Sequence, residues 1–204
     1  MLKEMANKKS PFSKFSIGSN ETLKKEGTYD LIKKFFKEEY SGNRMTLVLY
    51  SEYNFDKLKK FAYFFQDIKN DKLNKLSFSN LPTCFDKEDK NKIVKIKSLI
   101  KSKTIKICWF FDSQISLYKN NPLKILSYLL GHEGEGSIFY CLTNLGFANS
   151  LSSVIENNTD YFTLFYLDIE LTDKGFDNIS TVVKIIYKYI SILQNCDIPS
   201  YIFD

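Results

Sequence analysis

Apolar residues recur along this chain at two periods, and the switches between them outline its elements. Leu31, Ile32, Phe35 and Phe36 fall three and four apart. They predict a helix capped by Thr28, running to about Tyr40 and ended by Ser41-Gly42-Asn43. Met45 to Tyr50 is a β-branched and aromatic run that predicts a buried strand. Asn54 then predicts the cap of a second helix, with Phe55, Leu58, Phe61, Ala62, Phe65 and Ile68 on one face. Before these, residues 1–27 are polar and irregular after a short helical start, with Phe12, Phe15 and Ile17 as apolar anchors.

Residues 69–90 break the pattern with Lys, Asn, Asp and Ser, and the sequence predicts an inter-domain linker there. A new block follows. Ile93, Val94 and Ile96 predict one strand, and Thr104 to Phe111 another. Asn121-Pro122 opens a helix with Pro at its first position, carrying Ile125, Leu126, Leu129 and Leu130 and stopping near Gly131. A second helix spans about Ser137 to Leu145 and ends at Gly146. Ala148 to Ile155 and Tyr161 to Leu171 predict strands joined through Glu156-Asn157-Asn158. Thr172 caps one long helix whose stripe is Ile179, Val182, Val183, Ile186, Ile190 and Leu193, and Pro199 starts a further short element. The irregular alternation and the hairpin at 148–171 predict an α+β fold with an antiparallel sheet. No repeat at a solenoid period is present.

Composition fits that reading: 44% of the 204 residues are apolar and 16% aromatic, enough for a sizeable core. No apolar run approaches the roughly 20 residues that cross a bilayer, and the first residues are too polar for a signal peptide. No membrane partner is expected. The four cysteines, at 84, 108, 141 and 196, form no C-x-x-C pair. Cys108 and Cys141 lie in apolar runs, so buried reduced thiols are expected, as in a reducing compartment such as the cytoplasm. The net charge of +5 is local, because residues 1–75 carry 16 Lys/Arg against 10 Asp/Glu. Without a nucleic-acid motif, solvated helix faces are the better reading of these lysines than an RNA surface.

The chain has one histidine, His132. Both H-E-x-x-H and H-x-x-E-H need two, so neither zinc motif can be written here. No G-x-S-x-G elbow is present. The stretch Gly131-His132-Glu133-Gly134-Glu135-Gly136-Ser137 lacks the Lys of a phosphate loop, and its two glutamates would repel phosphate. Taken alone it reads as an interhelical turn in which the glycines permit positive φ and close backbone approach.

Two spaced segments carry a resemblance. Tyr128-Leu129-Leu130-Gly131-His132-Glu133-Gly134-Glu135-Gly136-Ser137, followed by Leu145-Gly146-Phe147-Ala148-Asn149-Ser150-Leu151, resembles a signature of insulinase-type (pitrilysin and insulin-degrading-enzyme) zinc metallopeptidases. Phe147 stands where that family often has Trp. Ser10 to Asn20 resembles the family's H-P-F-S-K-F-x-x-G-N segment, with Ser10 in place of His. A weaker third match runs from Phe36 through Tyr40, Asn43 and Met45 to Leu49.

The resemblance implies four α+β lobes around a chamber, with catalytic zinc held in the first lobe by an inverted motif that this chain lacks. It places residues 1–72 at the end of the first lobe, 73–90 as linker and 91–204 as most of the second, non-catalytic lobe. It implies a peptide exosite at His132, Glu133 and Gly134 with Leu151, Ser152 and Ser153 on the following edge strand. Glu133 or Glu135 would attract a peptide amino terminus, and an exposed strand edge can pair with an extended peptide. The family has glycines where Ser152-Ser153 stand. The expected partners are a peptide substrate and the remaining lobes, with zinc in the parent enzyme and no catalytic residue or metal in this chain. The alternatives are a peptidase-like binding or assembly module without catalysis, with 148–155 an ordinary sheet strand, and a basic RNA-associated protein.

Overall fold

The computed structural model describes residues 2–15, 17–74, 76, 77, 80–86, 91–100, 102–156, 159–199 and 202. They form two units, Met1–Asn91 and Lys92–Asp204.

Local rules shape the first unit. Its helices are α1 (Leu2–Met5), α2 (Asn20–Leu23), α3 (Thr28–Glu39) and α4 (Phe55–Ala62). Ser19 and Thr22 form a capping box on α2, and Asn54 Oδ1 accepts the Lys57 N–H at 3.0 Å to start α4. Thr28 does not cap α3. Gly27 does, in a left-handed conformation that needs no side chain, and Thr28 becomes the first helical residue. The helix of Phe55 is also shorter than its apolar spacing predicts, tightening into a 3-10 turn over Tyr63–Phe65.

The larger departure is Met45 to Tyr50. It forms no strand, and Val48 and Tyr50 are 79% and 100% exposed. A strand exists by pairing, and no strand is present among the described residues of this unit to pair with it.

Order in this unit comes from polar stitching. Buried Ser41 accepts the Asp71 N–H through Oγ at 2.9 Å and donates to Asn43 Oδ1 at 2.6 Å. Gly42 N–H donates to the Lys69 carbonyl, and Asn43 exchanges two hydrogen bonds with Leu73. Within the stretch 73–90, Cys84 and Phe85 are buried. The Cys84 carbonyl accepts the Asn7 N–H at 2.9 Å, and the Phe85 ring lies 5.9 Å from that of Phe12.

The second unit is a helix-covered sheet. Strands β1 (Thr104–Phe111), β2 (Ala148–Glu156) and β3 (Thr163–Leu171) lie antiparallel in the order β1-β3-β2. The register aligns Ile105 with Ile169, Ile107 with Leu167 and Trp109 with Phe165, so odd positions share one face. On β2 the same face takes Leu151, Ser153 and Ile155, opposite Ile169, Leu167 and Phe165.

Helices α5 (Pro122–Gly131), α6 (Ile138–Asn144), α7 (Asp173–Asp177) and α8 (Ile179–Gln194) complete this unit. Leu130, Ile138, Leu142, Val182 and Ile186 join Leu167 and Ile169 in a single buried cluster. At about 25 cal/mol per Å² of apolar surface removed from water, this cluster is the principal stabilising element. An α+β fold with an antiparallel sheet results, as the sequence predicts.

Three expectations fail here. Ile93, Val94 and Ile96 form no strand and are exposed. The single helix expected after Thr172 is two, broken at Asn178. Thr172 N–H donates to the Phe147 carbonyl, and a Cβ at Gly175 would stand 1.9 Å from that oxygen. This close backbone approach seats α7 against Phe147. Among the cysteines, Cys84 is buried and Cys108 half-buried, but Cys141 and Cys196 are exposed. Cys141 lies on the outer side of α6, where an apolar neighbourhood in sequence does not become burial in space. The element expected from Pro199 falls largely outside the described residues.

Candidate functional site

Helix α5 begins as Pro122 allows and ends at Gly131, with His132 as its extended C-terminal cap. Two further links hold this helix end. Ser127 Oγ donates to the Ser153 carbonyl at 3.1 Å, and Tyr189 Oη of α8 donates to the Leu129 carbonyl at 3.3 Å. Burial pushes the Tyr189 hydroxyl above its ordinary pKa, so it remains a donor. A Cβ on Gly131 would meet the Ser153 Cβ at 3.1 Å, so the end of the helix sits close over β2.

The chain then folds back tightly. A Cβ on Gly134 would stand 2.6 Å from His132 Nε2, so the imidazole lies against the glycine. The His132 ring is also 5.8 Å from that of Tyr128, one turn earlier. Beyond the turn, Ser137 Oγ accepts the Tyr140 N–H and starts α6.

Between the end of α5 and β2 lies an open cleft of about 400 Å³, lined by Ser127, Tyr128, Gly131, His132, Glu133, Gly134 and Ser153. The structure thus brings together four of the six residues singled out from the sequence: His132, Glu133, Gly134 and Ser153. Leu151 does not line the cleft but is buried in the core. Ser152 points to the opposite face of the sheet, in register with Asp168. Tyr128, Ser127 and Gly131 are added by the fold. For Tyr128 a signal exists, because it precedes His132 by four residues and so shares its side of the helix.

Negative potential gathers at this cleft. The C-terminal end of α5 carries the negative pole of the helix dipole, and the exposed Glu133 carboxylate stands beside it. On the other side of β2 no strand follows among the described residues, so β2 is an edge. Ser127 already occupies the Ser153 carbonyl at that edge.

Ser153 Oγ is buried and, among the described residues, has no hydrogen-bond partner. Leaving a buried hydroxyl unsatisfied costs roughly 1–3 kcal/mol, a cost alanine would avoid.

The opposite sheet face is chemically separate. There Lys106 Nζ pairs with Asp168 at 2.9 Å and lies over the Tyr166 ring. Burial works to lower the Lys106 pKa, but the hydrogen bond and charge of Asp168 outweigh it and raise the amine. Burial pushes the neighbouring Cys108 thiol up, away from the reactive thiolate. Among the described residues no three His, Cys, Asp or Glu side chains converge to hold a metal ion. Among the described residues the donor set does not fit a zinc centre.

Known proteins place this geometry in context. A family model described as the Peptidase M16 inactive domain matches residues 27–204. Insulin-degrading enzyme-like 2 of Arabidopsis thaliana is 31% identical over 211 residues, covering 100% of this chain and 22% of that protein. The A-factor-processing enzyme of Saccharomyces cerevisiae is 32% identical, covering 99% of this chain and 20% of that protein. Human nardilysin is 32% identical, covering 95% and 18%.

The crystal structure of pitrilysin superposes with a TM-score of 0.83 at 24% identity, covering 100% of this chain and 22% of that one. The chain therefore spans about a fifth of the length of the relatives it matches. A helix-covered antiparallel sheet, two spaced sequence signatures and a family match over most of the chain agree: this chain belongs to the Peptidase M16 family, as a non-catalytic, insulinase-type domain.

Proposed function

We propose that this chain is the substrate-docking part of an insulinase-like zinc metalloendopeptidase. In this reading residues 1–72 end the catalytic lobe without its metal motif, 73–90 link, and 91–204 are the second, peptide-contacting lobe. The partners are a peptide substrate and the remaining lobes of the same peptidase. Zinc, which would activate water for peptide hydrolysis, belongs to the parent outside this stretch. Holding a peptide away from the scissile bond orients it and limits which peptides react productively.

One observation carries the reading: the cleft at the end of α5 gathers His132, Glu133, Gly134 and Ser153 beside an edge strand. The helix dipole and Glu133 favour the ammonium of a peptide amino terminus. The tight His132–Gly134 turn keeps backbone close to the cleft rather than a bulky side chain.

The test is binding of a short peptide bearing a carboxy-terminal fluorophore, followed by anisotropy. A free amino terminus should bind more tightly than its acetylated form, and Glu133→Gln should erase most of that difference. The expected discrimination is about fivefold, the scale of one solvent-exposed charge contact. Equal affinity for both peptides would refute amino-terminal docking. The purified chain should cleave no peptide with or without added zinc.

A further inference from the structure

We infer that Asn7 to Phe12 form a clasp that holds Thr83 to Asp86 onto the first unit, and that this clasp opens locally, without unfolding of the unit. Where burial falls is the observation behind it. Among the described residues of the first unit, five are buried: Ala6, Ser10, Ser41, Cys84 and Phe85. Four of these lie at one contact, which joins Ser10 to Cys84 across 74 positions of sequence. Helices α3 and α4 have no buried residue at all. A stretch with the composition of a connection is therefore better shielded than the helices of its own unit.

The Asn7 side is ordered by its own turns. Asn7 Oδ1 accepts the Lys9 N–H at 3.0 Å, and the Asn7 carbonyl accepts the Ser10 N–H at 2.8 Å. Ser10 Oγ accepts the Phe12 N–H and caps the 3-10 turn that Pro11 opens. A segment already turned in this way loses little conformational entropy on closing. Across the contact, Asn7 N–H donates to the Cys84 carbonyl at 2.9 Å and Asn7 Nδ2 to Asp86 Oδ2 at 3.4 Å. Ser10 Oγ donates to Cys84 Sγ at 3.7 Å, and the Phe12 and Phe85 rings lie 5.9 Å apart. These ties are confined to two short segments, so they can break together while α3 and α4 stay formed.

A second set of ties stands upstream. Asn43 exchanges hydrogen bonds with Leu73, and Arg44 donates to the Asn74 carbonyl. With the clasp shut, the connection leading on toward β1 starts at Asp86. With it open, the last fixed point falls back to Asn74. The span of a connecting segment grows with the number of residues left free, so the clasp sets how long that connection is.

Cys84 reports on the clasp, because it is buried when the clasp is shut. The experiment is iodoacetamide labelling of the full chain in a series of urea concentrations below the unfolding transition, read at Cys84 by peptide mass spectrometry. The exposed Cys141 and Cys196 serve as accessible references. Local opening gives a Cys84 rate nearly independent of urea, whereas exposure through unfolding rises with the full slope of the transition. The expected result is the flat dependence, with Phe12→Ala labelled about tenfold faster because one ring of the pair is gone. Asn43→Ala, which cuts only upstream ties, should leave the Cys84 rate at its wild-type value. Labelling that follows the unfolding slope overturns the inference, and so does a wild-type rate in Phe12→Ala. Equal acceleration by Asn43→Ala and Phe12→Ala overturns it as well, because the unit then loosens as a whole.

Discussion

The two units of this chain are both rich in amphipathic helix, yet they treat their apolar faces in opposite ways. In the second unit Leu130, Leu142, Val182 and Ile186 close onto β3 and are almost wholly shielded from solvent. In the first, Phe36 is 60% and Phe64 81% exposed, and the remaining apolar face of α3 is exposed too. Helical periodicity therefore makes a stripe but not a core. A stripe is buried only where a second layer stands opposite it. The described residues of the first unit contain no strand, and their few buried side chains, such as Ser41 and Cys84, are held by hydrogen bonds or a local contact.

Substitutions can sharpen this contrast. Leu142→Ala removes a fully buried side chain from the main cluster and is expected to lower the stability of the second unit by about 2–5 kcal/mol. Urea denaturation measures it. The matching pair in the first unit, Phe35→Ala with Phe36→Ala, is expected to change stability by less than about 1 kcal/mol and to reduce self-association, since both rings are exposed. Sedimentation and the same urea titration read both effects, and a loss as large as that of Leu142→Ala would break the comparison.

A smaller effect tests how α7 is held. Thr172 Oγ1 accepts the Gly175 N–H at 3.0 Å and donates to the Gly146 carbonyl at 2.7 Å, so Thr172→Ala is expected to cost about 1 kcal/mol.

The smallest effect is electrostatic. Hydrogen bonding and the charge of Lys103, 2.7 Å away, hold the Asp173 carboxyl below its usual range. A depressed carboxylate contributes stability that is fully present above its unfolded pKa and is lost as pH falls through its folded one. Asp173→Asn should therefore lower stability slightly at neutral pH, leave the acid extreme unchanged, and so flatten the acid limb of a stability–pH curve measured by urea titration.

Much of the site was legible because its constraints are local. The Gly131–Ser137 run announces a tight turn through its glycines, and Pro122 and Gly146 mark the bounds of the helices around it. The two strands of the hairpin at 148–171 were equally plain in the sequence. Other assignments depended on distant groups. Met45 to Tyr50 and Ile93 to Ile96 have strand composition, but composition cannot supply the neighbour a ladder requires. The long helix after Thr172 was misread because Gly175 answers to the Phe147 carbonyl, which lies 28 residues earlier.

By itself the sequence determined where α5 and α6 start and stop, the α+β class and the absence of a paired-histidine motif. These follow from backbone sterics, capping hydrogen bonds and residue counts, none of which needs a distant partner. Tertiary structure decided which apolar faces became a core and which of six candidate residues meet at one cleft. Register and layer packing made that decision: one residue's difference along β2 sends Ser152 to one face and leaves Ser153 beneath Gly131.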